Sequence, residues 1–399
     1  MPDKPKRLIL GHIPINVCNL QCPYCYFTQR DIWNDTRSSP LAYAPDDIAR
    51  CLSAERLGGV SLINLTGQGE TLLQPGIEDL ARALLREGHY VEIVTNGTVT
   101  KVINQLLAMD AVLLARLEFK ISFHYNELKR LRILEQFWRN VKAIKASPCS
   151  FSLELMPCDE QEAHLDEIMA LCRSNAGAVC HATVGRNDGY KGRYLLTAQS
   201  REQYVAAWSK LGSAMFDFKM ALSDVKRKEF CYAGSWTLWV NMSTGDACQC
   251  YGQPVNQNIF KDPAKPIKFI PVGYYCTEPY CVNGHALLTM GAIPEIAAPT
   301  YADIRNKACD DGGEWFSETC RSFFQQRLMM SNKQLTRGGK TLNTMTRPFL
   351  LVWWLLRRPE KALNKLRRYL RLDGKSRYEK KKTPACSKLT KTVQKCDGH

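Results

Sequence analysis

The sequence predicts an α/β protein whose N-terminal part is a partial (β/α)6, TIM-like barrel, followed by a small cysteine-rich domain and a basic helical tail. Between residue 8 and about residue 213, apolar runs of strand length alternate with stretches whose apolar residues recur at i, i+3, i+4 and i+7. Such alternation gives a parallel sheet with right-handed crossovers. Six units favour a partial barrel, and a doubly wound sheet is the alternative. In either fold, functional residues gather beyond the C-terminal ends of the strands.

The predicted strands and helices of this region follow one another along the chain. Six short apolar segments are predicted to be strands, namely 8–15, 60–66, 90–95, 117–125, 150–156 and 178–185. Helical periodicity covers the stretches between them, 46–57, 77–87, 100–109, 126–146 and 162–174, and a further helix is expected near 200–212. The first predicted domain therefore spans residues 1–228.

The pattern changes after the last of these helices. Residues 229–335 are rich in Cys, Gly, Pro and aromatic residues, so we expect a smaller second domain there. Within it, WTLWVNMSTGDACQCYG (236–252) has the composition of two short strands around the turn STGD. The third segment, 336–399, is predicted to be a basic helical tail that is partly disordered.

The net charge of +15 is concentrated in this tail. Residues 336–399 hold 18 Lys and Arg against 4 Asp and Glu, a balance of +14, which leaves +1 for the first 335 residues. The apolar run 349–356 is far shorter than the ~20 residues that span a bilayer. The predicted helix after it has an apolar face, made of Ala362, Leu363, Leu366, Tyr369 and Leu370.

Three interpretations of the tail are open. Trp353 and Trp354 beside a basic amphipathic helix suit an anionic membrane surface, so segment 349–371 is a candidate for peripheral membrane contact. A helical pair packed on the body of the protein, with a solvated end, is the second interpretation. Nucleic-acid binding is the third, but no recognition module is visible, so we expect no specific nucleic acid.

The cysteine content bears on the expected compartment. The opening MPDKPKRLILGHIP lacks an apolar run of about 7–15 residues and a cleavage site, so it is not a secretory signal, and we expect a cytoplasmic protein. In a reducing compartment most of the 17 cysteines stay reduced, so those with a role are metal ligands or reactive thiols. Cys51 and Cys172 fall in predicted helices and are expected to be small core residues.

Three cysteines in VCNLQCPYCYF (17–27) follow the first predicted strand directly. Cys18, Cys22 and Cys25 are therefore expected on a loop over the C-terminal face of the sheet. Three thiolates do not close a four-ligand zinc site, so a structural zinc would need a distant Cys or His. They could instead hold three irons of a cubane cluster and leave the fourth iron open to bind another molecule.

The spacing C-x3-C-x2-C after the first strand of such a domain resembles the radical S-adenosylmethionine (radical SAM) superfamily. In that family the three thiolates hold a [4Fe–4S] cluster, and SAM binds the open iron. Tyr24 matches the family's aromatic position near the adenine. Gly69 and Glu70 in LTGQGETLL resemble the end of the GGE motif, where the backbone approaches SAM and the glutamate region meets its amino group. Gln68 and Thr71 depart from the commoner Gly and Pro of that motif.

Two later strand ends carry the same resemblance. Asn96 lies in TNGT (95–98), which is similar to the family's sequence after the third strand. Ser122 matches a position that often contacts the SAM ribose, and His124 replaces a frequent Asp, either as a structural residue or as a substrate contact. The resemblance covers residues 8–190. It implies reductive cleavage of SAM to a 5′-deoxyadenosyl radical that abstracts a substrate hydrogen, with a flavodoxin or ferredoxin as electron donor.

The second domain carries a further group of cysteines. Cys231, thirteen residues, Gly245, four residues and Cys250 match the opening of the SPASM and twitch domains of radical SAM enzymes, which bind auxiliary [4Fe–4S] clusters. Cys276 and Cys281 would complete one four-thiolate site. The longer cysteine run of a full SPASM domain is absent, so one auxiliary cluster is favoured over two, and a zinc site with the same ligands is the alternative.

Three other cysteines, Cys248, Cys309 and Cys320, lie in the predicted second domain. Cys248 could substitute for Cys250, but the spacing from Gly245 favours Cys250. Cys309 and Cys320 stand alone in the sequence and are given no cluster role.

Three further segments, SFHYNELKRL (122–131), CHATVGR (180–186) and YCVNGHALLTMGAIPE (280–295), resemble radical SAM proteins associated with gene clusters for cell-surface polysaccharides. This resemblance implies a saccharide substrate that is epimerised, dehydrated or oxidised. Modification of a peptide, the common task of SPASM enzymes, is the alternative, and the start of the first strand near residue 8 leaves no room before it for a leader-binding module. A non-catalytic iron–sulfur protein is the third hypothesis.

An epimerase would need a hydrogen donor opposite the deoxyadenosyl group. Cys158, just past the fifth predicted strand, is the candidate thiol, with an ordinary loop cysteine as the alternative interpretation. Cys180 opens the sixth strand and is expected to point into the core. In the competing oxidation, the substrate electron would pass to the auxiliary cluster and a base would take the proton.

Overall fold

The computed structural model describes residues 3–31, 33, 38–187, 195–223, 225–274, 276–278, 280–281 and 283–357. Nine strands in this part of the chain are β1 (Leu8–Ile13), β2 (Leu62–Gly67), β3 (Tyr90–Thr95), β4 (Leu117–Phe123), β5 (Ser150–Leu155), β6 (His181–Ala182), β7 (Thr237–Asn241), β8 (Asp246–Cys248) and β9 (Gln257–Asn258). They form one sheet in the order β6-β5-β4-β3-β2-β1-β7-β8-β9.

Helices cover the connections between the strands. The helices before β6 are α1 (Tyr26–Gln29), α2 (Pro45–Cys51), α3 (Ala54–Leu57), α4 (Ile77–Arg86), α5 (Thr100–Leu107), α6 (Ala111–Leu114), α7 (Tyr125–Arg130), α8 (Leu134–Lys145), α9 (Asp159–Glu162) and α10 (Leu165–Ala176). Those after β6 are α11 (Arg201–Trp208), α12 (Ala214–Leu222), α13 (Gly284–Leu287), α14 (Tyr301–Arg305), α15 (Glu318–Phe324) and α16 (Arg337–Arg357).

The first six strands are parallel and adjacent in chain order. The predicted α/β fold with a parallel sheet is confirmed, and the order is consistent with a partial barrel, because a doubly wound sheet would reverse its order at a switch point. The helices pack apolar faces on the sheet; α4, for example, buries Ile77, Leu80 and Leu84. The C-terminal ends of the six strands therefore share one rim.

The sixth strand is shorter than predicted. Residues 178–185 were expected to be extended, yet only His181 and Ala182 pair with β5. Near its N-terminal end, β5 is bonded by a different segment. There the Phe151 amide donates to the Trp315 carbonyl at 3.1 Å. A segment from the C-terminal part of the chain thus replaces the first half of the predicted strand.

The cysteine-rich region continues the same sheet. β7 pairs with β1 in parallel, on the side opposite β2, and β8 returns antiparallel to it through the predicted STGD turn. Gly245 takes φ +74°, and a Cβ there would lie 2.4 Å from the Phe260 ring. One hydrophobic core runs from Leu8 to Leu328, so the sheet and the core both cross the predicted boundary at residues 228 and 229.

The start of the predicted tail is helix α16. Lys340 pairs with Glu295 at 2.8 Å, and the Asn343 amide donates to the Pro271 carbonyl at 3.3 Å, so the first turns of α16 contact the body. Within the described chain, no helix combines the length and apolarity that crossing a membrane requires. Residues 358–399, with the predicted amphipathic face at 362–370, lie outside the described residues.

Candidate active site

The cysteine loop, residues 17–25, connects β1 to α1 at the shared rim. Cys22 is buried, and Cys18 and Cys25 are partly buried beside it. The Cys25 amide donates to the Cys22 carbonyl at 3.1 Å, which closes the loop on itself. The Gln21 amide donates to the Glu127 carboxylate at 2.9 Å. Because Glu127 lies on α7, directly after β4, the loop is anchored across the strand ends.

The thiols of this loop are weak acids in the absence of a bound cation. Burial, with smaller contributions from Glu70 and Cys25, raises the pKa of Cys18 to about 12. Burial, then the Glu127 carboxylate and the other two thiols, raises the pKa of Cys22 well above its usual value. Iron binds thiolates and releases their protons, so it supplies the positive charge that this buried set lacks. Three desolvated thiols on one short loop fit the iron ligands of a [4Fe–4S] cluster.

Glu70 joins the ends of β2 and β3. One carboxylate oxygen accepts from the Thr95 hydroxyl at 2.6 Å and the Leu72 amide at 2.9 Å, and the other accepts from the Asn96 amide at 2.6 Å. The side chain is buried, and burial raises its pKa despite these hydrogen bonds. Both oxygens are thus engaged by the chain itself, which makes Glu70 a positioning residue at this rim.

Gly69 lies where the backbone after β2 meets the cysteine loop. The Gly69 amide donates to the Ile15 carbonyl at 2.9 Å, and the next amide donates to the Val17 carbonyl at 2.8 Å. A Cβ on Gly69 would lie 1.9 Å from the Val17 oxygen, a separation that real contacts do not reach. The close backbone approach that the sequence suggests is therefore explained here by the cysteine loop itself.

Replacing Gly69 with alanine is expected to destabilise the chain by about 3 kcal/mol or more, because the clash is with backbone and cannot be relieved by a rotamer change. Urea unfolding of the cluster-free chain measures the loss. Gly338→Ala is the matched control, since a Cβ on Gly338, in helix α16, meets no atom within 4 Å. Equal unfolding midpoints for the two variants would contradict the close approach at Gly69.

Asn96 connects the TNGT turn to the cysteine loop. Its side-chain amide donates to the Asn19 oxygen at 2.8 Å, and its own oxygen accepts from the Thr98 hydroxyl at 2.7 Å. The Asn19 amide closes the ring by donating to Thr98 Oγ1 at 2.8 Å. A hydrogen bond from Asn96 also lowers the pKa of the neighbouring Cys18 thiol, against the larger effect of burial. Asn96 thus contacts a candidate cluster ligand.

Tyr24 and His124 form a pair beneath the loop. The Tyr24 hydroxyl lies 2.8 Å from His124 Nδ1, and the two rings stack with centroids 5.8 Å apart. Burial lowers the pKa of His124 to about 4, so the imidazole is neutral at neutral pH. Ser122 lies two residues earlier on β4 and is half-buried at the rim. Of the two interpretations of His124, the contacts support the structural one.

The second cysteine group, Cys231, Cys250, Cys276 and Cys281, is brought together from two segments. Burial raises the pKa of Cys250 well above its usual value, and the other three thiols raise it further. Burial, then Cys231 and Cys276, likewise raises the pKa of Cys281. Cys250 and Cys281 therefore lie close enough to the other thiols of the group to be affected by their charge. Part of the loop between the last two cysteines, residue 279, lies outside the described residues.

Cys248 is set apart from this second cysteine group. Burial raises its pKa to about 12, and the Cys250 backbone acts on it, but none of the other three thiols does. Its sulfur lies 3.3 Å from the Cys250 carbonyl oxygen. Cys309 and Cys320 are buried elsewhere, with their sulfurs near the carbonyls of Ala176 and Ala115. The geometry thus groups Cys250, and not Cys248, with the other three.

A cavity of about 420 Å³ is bordered by residues next to both cysteine groups. Its lining includes Tyr26 and Gly67, next to the cysteine loop, and Cys281 of the second group. Among the described residues that line it, Cys281 is the only cysteine. Cys158 is buried instead against Leu20, Cys22 and Tyr24, and it is not part of this lining.

Polar residues inside the barrel were missed by sequence reasoning. The cavity lining includes Glu92 and Lys120, which lie on β3 and β4, and also Lys219 and Tyr301. A signal for the first two is present in the sequence, because a charged side chain in the middle of a buried apolar strand needs an internal partner. Lys219 lies in α12, outside the strands, and carries no such signal.

The sequence model of the radical SAM superfamily matches residues 12–172. These residues are a radical SAM domain. The match runs from β1 through the cysteine loop to α10. The family implies a [4Fe–4S] cluster and SAM, and the three thiols of the cysteine loop fit the cluster for the reason given above.

Among solved structures, the chain is similar to Streptococcus suis SuiB bound to S-adenosylmethionine, at 16% identity over 65% of this chain and 64% of SuiB, with a TM-score of 0.45. It thus spans just under two thirds of the length of SuiB. anSMEcpe with bound AdoMet matches at 14% identity over 65% of this chain and 80% of that chain, with a TM-score of 0.41. BtrN in complex with AdoMet and 2-DOIA matches at 15% identity over 66% and 81%, with a TM-score of 0.34. No curated protein matches the sequence.

Proposed function

We propose that this radical SAM enzyme modifies a saccharide-sized substrate inside the cavity between its two cysteine groups. One observation carries the proposal: the same cavity is bordered by Tyr26 and Gly67 beside the cysteine loop and by Cys281 of the second group. Its volume, about 420 Å³, falls in the range of small-molecule sites, about 300–1,000 Å³. A substrate there would lie within reach of both candidate cofactor sites.

The residues of the rim have separate roles in this proposal. Cys18, Cys22 and Cys25 hold the [4Fe–4S] cluster, which with SAM supplies hydrogen-atom abstraction from a C–H bond when a flavodoxin or ferredoxin donates an electron. SAM is bound along the strand ends by Tyr24, Gly69, Glu70, Asn96 and Ser122. Glu70 and Asn96 act by fixing the strand ends and the cysteine loop in one arrangement. The barrel walls exclude water from the reacting atoms.

The second cysteine group is proposed to hold one auxiliary [4Fe–4S] cluster in a twitch/SPASM-like domain over residues 229–335. The neighbouring positions of its four thiols support this assignment. Since Cys281 lines the cavity, the auxiliary cluster would border the substrate, which favours oxidation over epimerisation. Cys158, the candidate hydrogen donor, is buried behind Tyr24 and would have to reach the substrate by moving out of that packing.

Isotope transfer tests the proposed function. Reduced enzyme is incubated with SAM and fully deuterated candidate saccharides or peptides, and 5′-deoxyadenosine is analysed by mass spectrometry. Deuterium in 5′-deoxyadenosine from a saccharide is the expected result. Deuterium from peptides alone would move the assignment to peptide modification. If no 5′-deoxyadenosine forms, the chain is a non-catalytic iron–sulfur protein.

The tail is proposed to contact an anionic membrane surface. Phe349, on α16, is 77% exposed, and it lies at the start of the apolar segment that the sequence singles out. Deleting residues 349–399 spares Lys340 and Asn343, which hold the start of α16 on the body. Loss of sedimentation with anionic liposomes at low salt, with SAM cleavage unchanged, is the expected result. Equal sedimentation of both chains would indicate a packed or solvated tail.

A further inference from the structure

The lining of the cavity includes Glu92 and Lys120, which belong to a cluster of charged residues from adjacent strands. Lys120 on β4 lies 3.9 Å from Glu92 of β3 and 3.7 Å from Glu154 of β5. Arg305 of α14, which is fully buried, pairs with Glu154, and the Tyr301 hydroxyl of the same helix donates to Glu92. The two carboxylates, Glu92 and Glu154, and the two cations, Lys120 and Arg305, thus neutralise one another.

A third carboxyl group of this cluster, Glu118, forms no ion pair with a cation of the described chain. It accepts one hydrogen bond from the Ser152 hydroxyl at 2.9 Å, and its other oxygen is buried without a partner. Burial and the neighbouring Glu92 raise its pKa well above its usual value, which disfavours its charged form. Glu118 is therefore a poor counter-ion for a further cation.

Lys219 is that further cation. It projects from α12 and lines the cavity, where its ammonium donates to the Thr183 hydroxyl. Glu154 is a carboxylate that acts on it, but Glu154 is already paired with Arg305 and Lys120. Among the described residues of the cluster, Lys219 is therefore a third basic side chain beside carboxylates that already pair with other cations.

Among the described residues that line the cavity beside Lys219, Arg186 and His285 supply no negative charge. Arg186 is a second basic residue in the cavity lining. His285, on α13, also lines it, and burial and the nearby cations hold the pKa of His285 well below its usual value, so it is neutral. Burial and the same cations lower the pKa of Lys219 itself to about 7, although Glu154 raises it. An anion entering here would be paired and would restore full protonation of Lys219.

We propose that the cavity takes an anionic substrate, one that bears a phosphate or a carboxylate, and that Lys219 is the counter-ion of this group. The inference rests on the proposed function, since it specifies the substrate of the same cavity. A saccharide substrate would then be a sugar phosphate or a sugar acid. Lys120 and Arg305 are already neutralised by their carboxylate partners. Lys219 donates its hydrogen bond in the structure to a hydroxyl, so it is the group available to the anion.

Thermal unfolding of the reconstituted full chain tests the inference with three probes: D-glucose 6-phosphate, D-glucuronate and neutral D-glucose. A bound ligand raises the unfolding midpoint in a saturable way. We expect a saturable rise with one or both charged sugars, and none with glucose at the same concentration. Lys219→Met should weaken the binding roughly tenfold or more, as the loss of a charged hydrogen bond does. Lys101→Met, at an exposed position of α5, should bind as the wild type does.

The pH dependence of glucuronate binding to the wild-type protein is a further test. Glucuronate stays ionised from about pH 6 to about pH 8.5, whereas Lys219 loses its proton in this interval, so glucuronate should bind more tightly at the lower pH. Lys219→Arg, which keeps the charge, should retain binding. A response to phosphate alone or to carboxylate alone identifies the substrate's anion.

Two results would overturn the inference: charged and neutral sugars acting alike, or Lys219→Met binding the charged sugars with wild-type affinity and pH dependence. SAM cleavage by the wild type is measured separately. A chain that cleaves SAM without preferring anions refutes only this inference. A chain that binds anions but yields no 5′-deoxyadenosine refutes only the proposed function.

Discussion

Replacing Cys18, Cys22 and Cys25 together with alanine is expected to abolish the formation of 5′-deoxyadenosine from SAM. The three thiols are the proposed iron ligands, and no other cysteine of the described chain lies on the cysteine loop. Without them the cluster that binds SAM has no protein anchor. Chromatography of reactions run with a chemical reductant measures the loss directly.

The iron content separates this loss from general unfolding. The triple variant should retain about four irons and four sulfides per chain, held by the second cysteine group. A matched control replaces three buried cysteines remote from both groups, Cys51, Cys149 and Cys309, with alanine. The control should cleave SAM. Residual cleavage by the first variant, or complete loss of cleavage in the control, would count against the assignment.

Replacing Cys231, Cys250, Cys276 and Cys281 with alanine should lower the iron content of the reconstituted protein from about eight to about four per chain. The other thiols of the group raise the pKa of Cys250, and Cys231 and Cys276 raise that of Cys281, as expected of ligands that share a cation. Iron, sulfide and zinc analysis of the same preparations gives the result. The cysteine loop is left intact, so cleavage of SAM without substrate turnover is expected to continue.

Cys248→Ala is the matched control for this quartet. Cys248 is only two residues from Cys250 in the sequence, but its sulfur is near the Cys250 carbonyl and away from the other three thiols. We therefore expect about eight irons in this variant. A wild-type value near four irons with one zinc per chain would assign the second group to zinc instead.

Most of the fold and the first cysteine group were predictable from local sequence. Alternating strand and helix periods specify a parallel sheet in a partial barrel and in a doubly wound fold alike. In both folds the loop after β1 lies at the C-terminal rim of the sheet. Glu70 and Asn96 were found through a resemblance, but their contacts were not. The sequence does not indicate that both oxygens of the Glu70 carboxylate accept hydrogen bonds from Thr95, Leu72 and Asn96. These partners depend on how the ends of neighbouring strands are arranged in the fold.

The second cysteine group shows where spacing stops being informative. The spacing from Gly245 favoured Cys250 over Cys248. In a continuous strand, residues two apart such as these would point to the same face of the sheet. β8 ends at Cys248, so the position of Cys250 is set by the loop that follows. Only the tertiary structure places Cys250 beside Cys231, Cys276 and Cys281.

By itself, the sequence determined the parallel α/β architecture, the rim on which the chemistry lies and the three clustered thiols, because periodicity and short spacing are local properties of the chain. The tertiary structure decided the rest. It brought Lys120, Glu92 and Glu154 from three strands and Arg305 from α14 into one charged cluster, and it placed Lys120, Glu92 and Lys219 of α12 in the lining of one cavity. The balance of charge in this cluster depends on burial and on partners up to about two hundred residues apart in the sequence. Neither burial nor such distant partners can be predicted from a local segment of the sequence.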